Sequence, residues 1–250
     1  MVQVRAESFQ VIEIEGHRAV ELAALAGGRK WRAVFGLRGP HPKEILAKHF
    51  GLQKNQIATI RQVHGDSIWV IDSARTSDPA GPEREADAMI THRTGLAIAV
   101  RTADCLPILI WDEIKQVVAA VHAGWRGSLD AVASKTVLTM RSSFGSDPKS
   151  LWVGIGPAIG PCCYEVDGPV LEPLRKRFEY WSEVVTEKGN GKGMLDLAGL
   201  NVRQLTASGV SPERITVAGA CTFCHPERFY SFRRDGHSSG GMINGIMNGA

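Results

Sequence analysis

Three residues suited to metal or thiol chemistry lie far apart in this chain, each in a short motif that reads as a strand breaking into a turn. His64 sits in Arg61-Gln62-Val63-His64-Gly65. Cys105 sits in Arg101-Thr102-Ala103-Asp104-Cys105-Leu106-Pro107, and His122 in Val121-His122-Ala123-Gly124-Trp125-Arg126-Gly127. Two imidazoles and one thiolate can hold Zn²⁺ and leave a position for water or substrate, which is a catalytic arrangement. The three are 41 and 17 residues apart, matching no compact zinc-finger spacing. Only the fold can bring them together. The same residues admit a metal-free chemistry, with Cys105 as nucleophile and His122 as base. His64 separates the two, because a metal site needs it and a dyad does not. Cys221-Thr222-Phe223-Cys224-His225 forms a competing cluster with Cys-x-x-Cys spacing. No second Cys-x-x-Cys exists to complete a structural zinc site, so these read as buried or incidental thiols. Cys162 and Cys163 follow a Gly-Pro turn and read as packing residues under the site.

The composition is that of an ordinary globule: 44% of residues are apolar and 22% charged. The 29 basic and 26 acidic residues leave a formal charge of +3, too small to argue for nucleic acid or a membrane surface. No apolar run approaches the length of a membrane span, and the opening residues do not read as a signal peptide. The five cysteines are odd in number and include an adjacent pair, a poor disulfide framework. A cytoplasmic protein with reduced thiols is expected.

The elements that must position the chemistry are strand-rich in the centre. Phe9 to Glu21 predicts two antiparallel strands around Gly16, and Trp31 to Leu37 a third. Pro42 to Phe50 has helical spacing and ends at Gly51. Ile57 to Val63 and Ser67 to Ile71 are strand-like and flank His64-Gly65. Arg75 to Glu85 predicts a surface loop. Ala86 to Ile90, Leu96 to Arg101, Leu106 to Trp111 and Gln116 to His122 are short apolar strands. Ser128 to Met140 predicts an amphipathic helix. Leu151 to Ile155 predicts a strand, Pro169 to Phe178 a helix and Glu187 to Gly193 a loop. Leu197 to Gly209 predicts a helix capped by Asp196. Ile215 to Ala218 and Phe229 to Arg233 predict strands. Strands in runs between helices imply a mixed α/β or α+β sandwich rather than a regular βαβ repeat, and no linker divides residues 1–250 into more than one domain.

Taken together, the motifs are those of a known family. Gln62-Val63-His64-Gly65, Ala86-Asp87-Ala88, Thr102 to Pro107, His122 to Gly127, Gly154-Ile155-Gly156-Pro157, Cys162 to Val166, Asp196-Leu197 and Phe229 to Gly236 occur in order. From about Trp31 to Gly240 the chain resembles the laccase-domain family, often labelled multicopper polyphenol oxidoreductase. The resemblance implies a single catalytic domain with a layered α+β sandwich of mixed sheets and flanking helices, related to the Cys–His toxin deamidases. It places the metal ligands on His64, Cys105 and His122. It also implies zinc-dependent phosphorolysis of purine nucleosides (adenosine, inosine, guanosine or methylthioadenosine) and deamination of adenosine. The chain departs from the family at two places. The family's Ser-x-Arg-x-Gly-Gly loop reads Phe35-Gly36-Leu37-Arg38-Gly39-Pro40, without the Ser-Leu-Asn-Leu stretch that follows in the family. The family's Thr-Gly-Arg reads Ser239-Gly240-Gly241.

The implied chemistry assigns roles. Cys105, His122 and Asp104 are the expected catalytic residues, with Asp66 a second candidate acid. Phosphorolysis needs cations around phosphate, for which Arg38, Arg61, Arg126, Arg233 and Arg234 are candidates. Trp125 and Tyr164 could stack on a purine. The expected partners are purine nucleosides and phosphate, acting on a monomer. Copper is a further possibility in the same His₂Cys set. A multicopper centre is not expected, because the eight histidines include no His-x-His pair.

Overall fold

The computed structural model describes residues 9–14, 16–22, 31–72 and 84–249. Two six-stranded sheets face each other. The first runs β1 (Phe9–Ile14), β2 (His17–Leu22), β3 (Trp31–Leu37), β15 (Met242–Asn248), β7 (Ala97–Thr102) and β4 (Ile57–Ala58). The second runs β14 (Ile215–Val217), β10 (Trp152–Ile155), β8 (Leu106–Asp112), β9 (Val117–Ala123), β6 (Ala88–Thr91) and β5 (Ile68–Ile71). Each sheet mixes parallel and antiparallel pairs. A small third sheet holds β11 (Glu165–Val166), β13 (Lys192–Leu195) and β12 (Val185–Gly189). The helices are α1 (Pro42–Phe50), α2 (Trp125–Leu129), α3 (Val132–Phe144), α4 (Gly168–Arg177), α5 (Trp181–Val184), α6 (Leu197–Ala207) and α7 (Phe232–Asp235).

Strand alternation builds the layers. In β7, Ala97 and Ala99 face α1, where Leu46 and Phe50 cover them, while Ile98 and Val100 face the second sheet. In β8, Leu109 and Trp111 fill the space between the sheets, with Trp111 stacked on Trp31 at a centroid distance of 4.0 Å. Leu106, Ile108 and Ile110 of the same strand face α3, α4 and α6. The order of layers is therefore helix, sheet, sheet, helices. Both central strands are buried on both faces, which is why they read as continuous apolar runs. This is the expected α+β sandwich of mixed sheets with flanking helices.

Four expectations about elements change. Ile57 to Val63 is a strand only at Ile57–Ala58. Beyond it, the Gln62 side chain takes the place of a strand, donating to the Arg101 carbonyl at 2.7 Å and accepting from the Arg101 amide at 2.8 Å. Ser128 to Met140 is not one helix: Ala131 adopts φ 57°, ending α2 and starting α3. Glu187 to Gly193 is not a loop but a β12–β13 hairpin. Its turn residues Asn190 and Gly191 have φ 52° and 73°, the positive values that two-residue hairpin turns require. Phe229 to Arg233 is not a strand, because Ser231 caps α7 by accepting from the Arg234 amide. Strand β15 has no counterpart in the sequence reading. The predicted loop at Arg75 to Glu85 falls largely outside the described residues. Among the described residues no helix is long and apolar enough to cross a membrane.

Candidate metal centre and its cleft

The centre forms where neighbouring strands end together. Cys105 immediately precedes β8, His122 lies near the end of β9, and Asp87 immediately precedes β6. Continuing the β8–β9 register sets Cys105 opposite Gly124. An alanine Cβ at Gly124 would stand 3.1 Å from the Cys105 sulfur and 3.3 Å from the His64 ring, so the glycine is what lets these side chains meet. Gly127, in the first turn of α2, would press a Cβ to 2.7 Å from the Gly65 carbonyl. The Gly-Trp-Arg-Gly motif thus seats α2 directly against the His64 turn.

Asp87 organises the site. It is fully buried, and its carboxylate accepts from the amides of Val63 at 3.3 Å, His64 at 3.0 Å and Gly65 at 2.7 Å. Those bonds hold His64 at φ 60°, a left-handed conformation uncommon for a side-chain-bearing residue. The same carboxylate lies 2.8 Å from His122 Nδ1, so that nitrogen carries a proton and Nε2 is left for the centre. The ligand atoms of His64, Cys105 and His122 lie within 4.8 Å of one another, and the two imidazole rings meet edge-on at 4.8 Å. His64 is exposed, Cys105 half-buried and His122 buried, so one side of the group opens outward.

The electrostatics favour a thiolate. Burial alone would push the Cys105 thiol up, but hydrogen bonds and charge from His122 and His64 outweigh it and leave it at about 7. Burial disfavours His122 protonation, yet Asp87 and Cys105 together raise it to about 9. Burial likewise opposes Asp87 ionisation, and the His122 ring with the Gly65 and Val63 amides overcome it, holding the carboxyl low. The donor set therefore suits a borderline-soft cation such as Zn²⁺: one thiolate, two imidazoles, and a carboxylate orienting one of them.

The centre opens into a cleft of about 540 Å³. Of the predicted cations, Arg126 and Arg233 line it; Arg126 lies 4.3 Å above the Trp125 ring. Arg233 donates to the Glu165 carbonyl at 2.8 Å and sits 5.3 Å from the Tyr164 ring centroid. Trp125 and Tyr164 both line the cleft. Burial and the Cys105 charge keep the Tyr164 phenol above its ordinary range. Arg38, Arg61 and Arg234 are not among the lining residues. Arg38 stacks on Tyr230 at 4.1 Å and donates to Pro226; Arg61 pairs with Glu85 at 3.1 Å. Arg234 binds the carbonyls of Thr222, Phe223 and Phe229, a structural clamp.

Asp104 lines the cleft, at φ 90°. Its oxygens accept from the Thr222 hydroxyl at 2.5 Å and the Arg233 amide at 2.6 Å. It thereby ties the Cys105 turn to the Arg233 turn. Asp66, the other candidate acid, pairs with Lys135. The sequence reading gave no role to Asp87, Gln62, Arg101 or Phe232, the last three of which line the cleft. For Asp87 the signal was an acid between two alanines at the head of an apolar strand. A larger cavity of about 900 Å³, lined by residues such as Ile159, Val202 and Arg203, contains none of the three ligands.

The chain is similar to several known proteins. A purine nucleoside phosphorylase of Bacteroides thetaiotaomicron is 34% identical over 74% of this chain and 71% of its own length. Adenosine deaminase RL5, from an unknown prokaryotic organism, is 33% identical over 80% of this chain and 78% of its own. The crystal structure of YlmD from Geobacillus stearothermophilus superposes with a TM-score of 0.85 at 28% identity, covering 97% of this chain and 99% of that one. Residues 41–248 match the family described as multi-copper polyphenol oxidoreductase laccase, and the chain belongs to that family.

Proposed function

We propose that this chain is a zinc-dependent enzyme that processes purine nucleosides, by phosphorolysis and by deamination of adenosine. One observation carries the reading: His64, Cys105 and His122 converge on one point at the floor of a cleft walled by aromatic rings and arginines. Relatives over most of the chain's length bear the names of those two activities. His64, Cys105 and His122 would hold the ion. When bound, zinc supplies a Lewis acid and lowers the pKa of water toward neutrality.

The chain's own residues supply the rest. Trp125, Tyr164 and Phe232 offer flat apolar surface to a purine. Arg101, Arg126 and Arg233 bring positive charge to phosphate. In phosphorolysis a phosphate oxygen bonds to C1′ as the glycosidic bond breaks, and the purine nitrogen keeps the electron pair and gains a proton. Guanidinium groups that neutralise the nucleophile's charge let it approach the sugar. Asp87 fixes the His122 tautomer, and Asp104 holds the Cys105 and Arg233 turns together. Copper would fit the same His₂Cys set.

A second reading rests on the Asp87–His122–Cys105 chain of contacts, which has the order of a thiol hydrolase triad. Mass spectrometry for metal, paired with a chromatographic assay of adenosine with and without phosphate, decides between them. Zinc in the protein with adenine or inosine released supports the nucleoside enzyme. A metal-free protein that leaves adenosine untouched refutes it and favours the thiol hydrolase.

A further inference from the structure

A second group of soft ligands lies outside the centre just described. Cys162, Cys163, Cys221 and Cys224 bring their four sulfurs within 4.8 Å of one another. The Cys163 and Cys224 sulfurs are 3.3 Å apart, and those of Cys162 and Cys224 3.7 Å. Four thiolates around tetrahedral Zn²⁺, each at about 2.3 Å, place their sulfurs about 3.8 Å apart. The observed spacing is close to that geometry. The missing second pair for Cys221-x-x-Cys224 is the adjacent pair Cys162-Cys163, which the fold supplies from a different turn.

The surroundings are built for sulfur. The Gly160 amide donates to the Cys221 sulfur at 3.3 Å, and the Cys224 amide points at the same atom. A Cβ at Gly160 would come to 3.4 Å from the Cys162 sulfur and 3.3 Å from the Cys221 Cβ, so the two turns approach closely at this glycine. Backbone bonds hold them in register: Thr222 donates to the Ala158 carbonyl at 3.0 Å, and Ala158 to the Ala220 carbonyl at 3.3 Å. Cys162 and Cys224 are exposed, giving an ion a route in, and Cys221 is buried.

We propose that Cys162, Cys163, Cys221 and Cys224 form a closed four-thiolate zinc site. Binding exchanges four thiol protons for one Zn²⁺, with no change of oxidation state. The site bolts two turns together beside the cleft, which Ile159 and Tyr164 of the first turn line. Tyr164 follows Cys163 directly, and Thr222, between the other two cysteines, donates to Asp104. The four cysteines are thus positioning residues, and closed coordination leaves no place for substrate.

The test is metal content per chain in protein purified without added metal, for wild type, Cys105→Ala and Cys224→Ser. The expected result is two zinc ions in wild type and one in each variant. One ion in wild type, kept by Cys105→Ala and lost by Cys224→Ser, still supports the four-thiolate site while refuting the zinc reading of the cleft. One ion lost by Cys105→Ala and kept by Cys224→Ser overturns the proposal. An intact mass lighter by two hydrogens, from a Cys163–Cys224 disulfide in metal-free protein, overturns it as well. Should Cys224→Ser fail to fold, Co²⁺ added to Cys105→Ala gives the answer. Intense visible absorption of a tetrahedral cobalt thiolate is expected, and its absence counts against the site.

Discussion

Asp87 shows how one buried side chain can define a reactive centre. A carboxylate without solvent must be fully hydrogen-bonded, and this one collects three amides and an imidazole. Asp87→Asn keeps the shape but can no longer accept every one of those bonds. Zinc affinity should fall about 10- to 100-fold, measured by competition with a chromophoric chelator; unchanged affinity would show that Asp87 does not orient His122. Gly124→Ala tests the opposite failure, excess bulk. With a Cβ at 3.1 Å from the Cys105 sulfur, the thiolate must move. The variant should unfold cooperatively yet lose most of its zinc, and full occupancy would contradict the crowding. The candidate ligands His64, Cys105 and His122, which the fold brings within 4.8 Å of one another, were legible from residue type and turn context. Asp87 was not assigned a role, because periodicity reports which face a residue occupies and not which polar group gathers its neighbours.

At the scale of elements, side chains complete what backbone begins. Gln62 pairs with the Arg101 amide and carbonyl as a strand would, extending the edge of β7 beside β4. Each such bond is worth about 1 kcal/mol net. Gln62→Ala should therefore speed hydrogen exchange of the Arg101 amide by about tenfold relative to neighbours in β7. An unchanged rate would mean the pairing carries no weight. The helix α2 is fixed similarly, since Gln204 donates to the Ser128 carbonyl at 2.7 Å and Arg177 to that of Leu129 at 3.0 Å, satisfying carbonyls left over at its end. Strands buried on both faces, such as β8 and β9, were visible as apolar runs. Strand β15 was not, because Asn244, Gly245 and Asn248 interrupt its pattern. Each has a tertiary reason: Asn244 accepts from the Gly36 amide and donates to Thr102, Asn248 donates to the Gln116 carbonyl, and Gly245 makes room for Leu46. The Asn190-Gly191 turn was present in the sequence as a hairpin signal, and the flanking glycines, Gly189 and Gly193, masked it.

For the whole molecule, layering separates stability from chemistry. The outer face of the first sheet, with α1, holds a titrating group, His49, that is not one of the candidate metal ligands. His49 is held down to about 4 by burial and the charge of Arg32, whose guanidinium lies 3.1 Å from its Nε2. Glu21 is 3.8 Å away. Between its ordinary value of 6.5 and about 4, the unfolded chain binds a proton there that the folded chain does not. Stability from this residue is thus complete above pH 6.5 and declines as pH falls toward 4. The His49→Gln variant should lose less of its denaturation midpoint than wild type across that window; parallel curves would contradict the assignment. The opposite end of the sheets, where strands stop and turns take over, carries the cleft. The most direct test of its function is the turnover of adenosine with phosphate by His64→Ala in the presence of added zinc. A centre that needs all three ligands predicts a loss of at least about 100-fold with the fold retained. Turnover equal to wild type would show that His64 holds no catalytic metal.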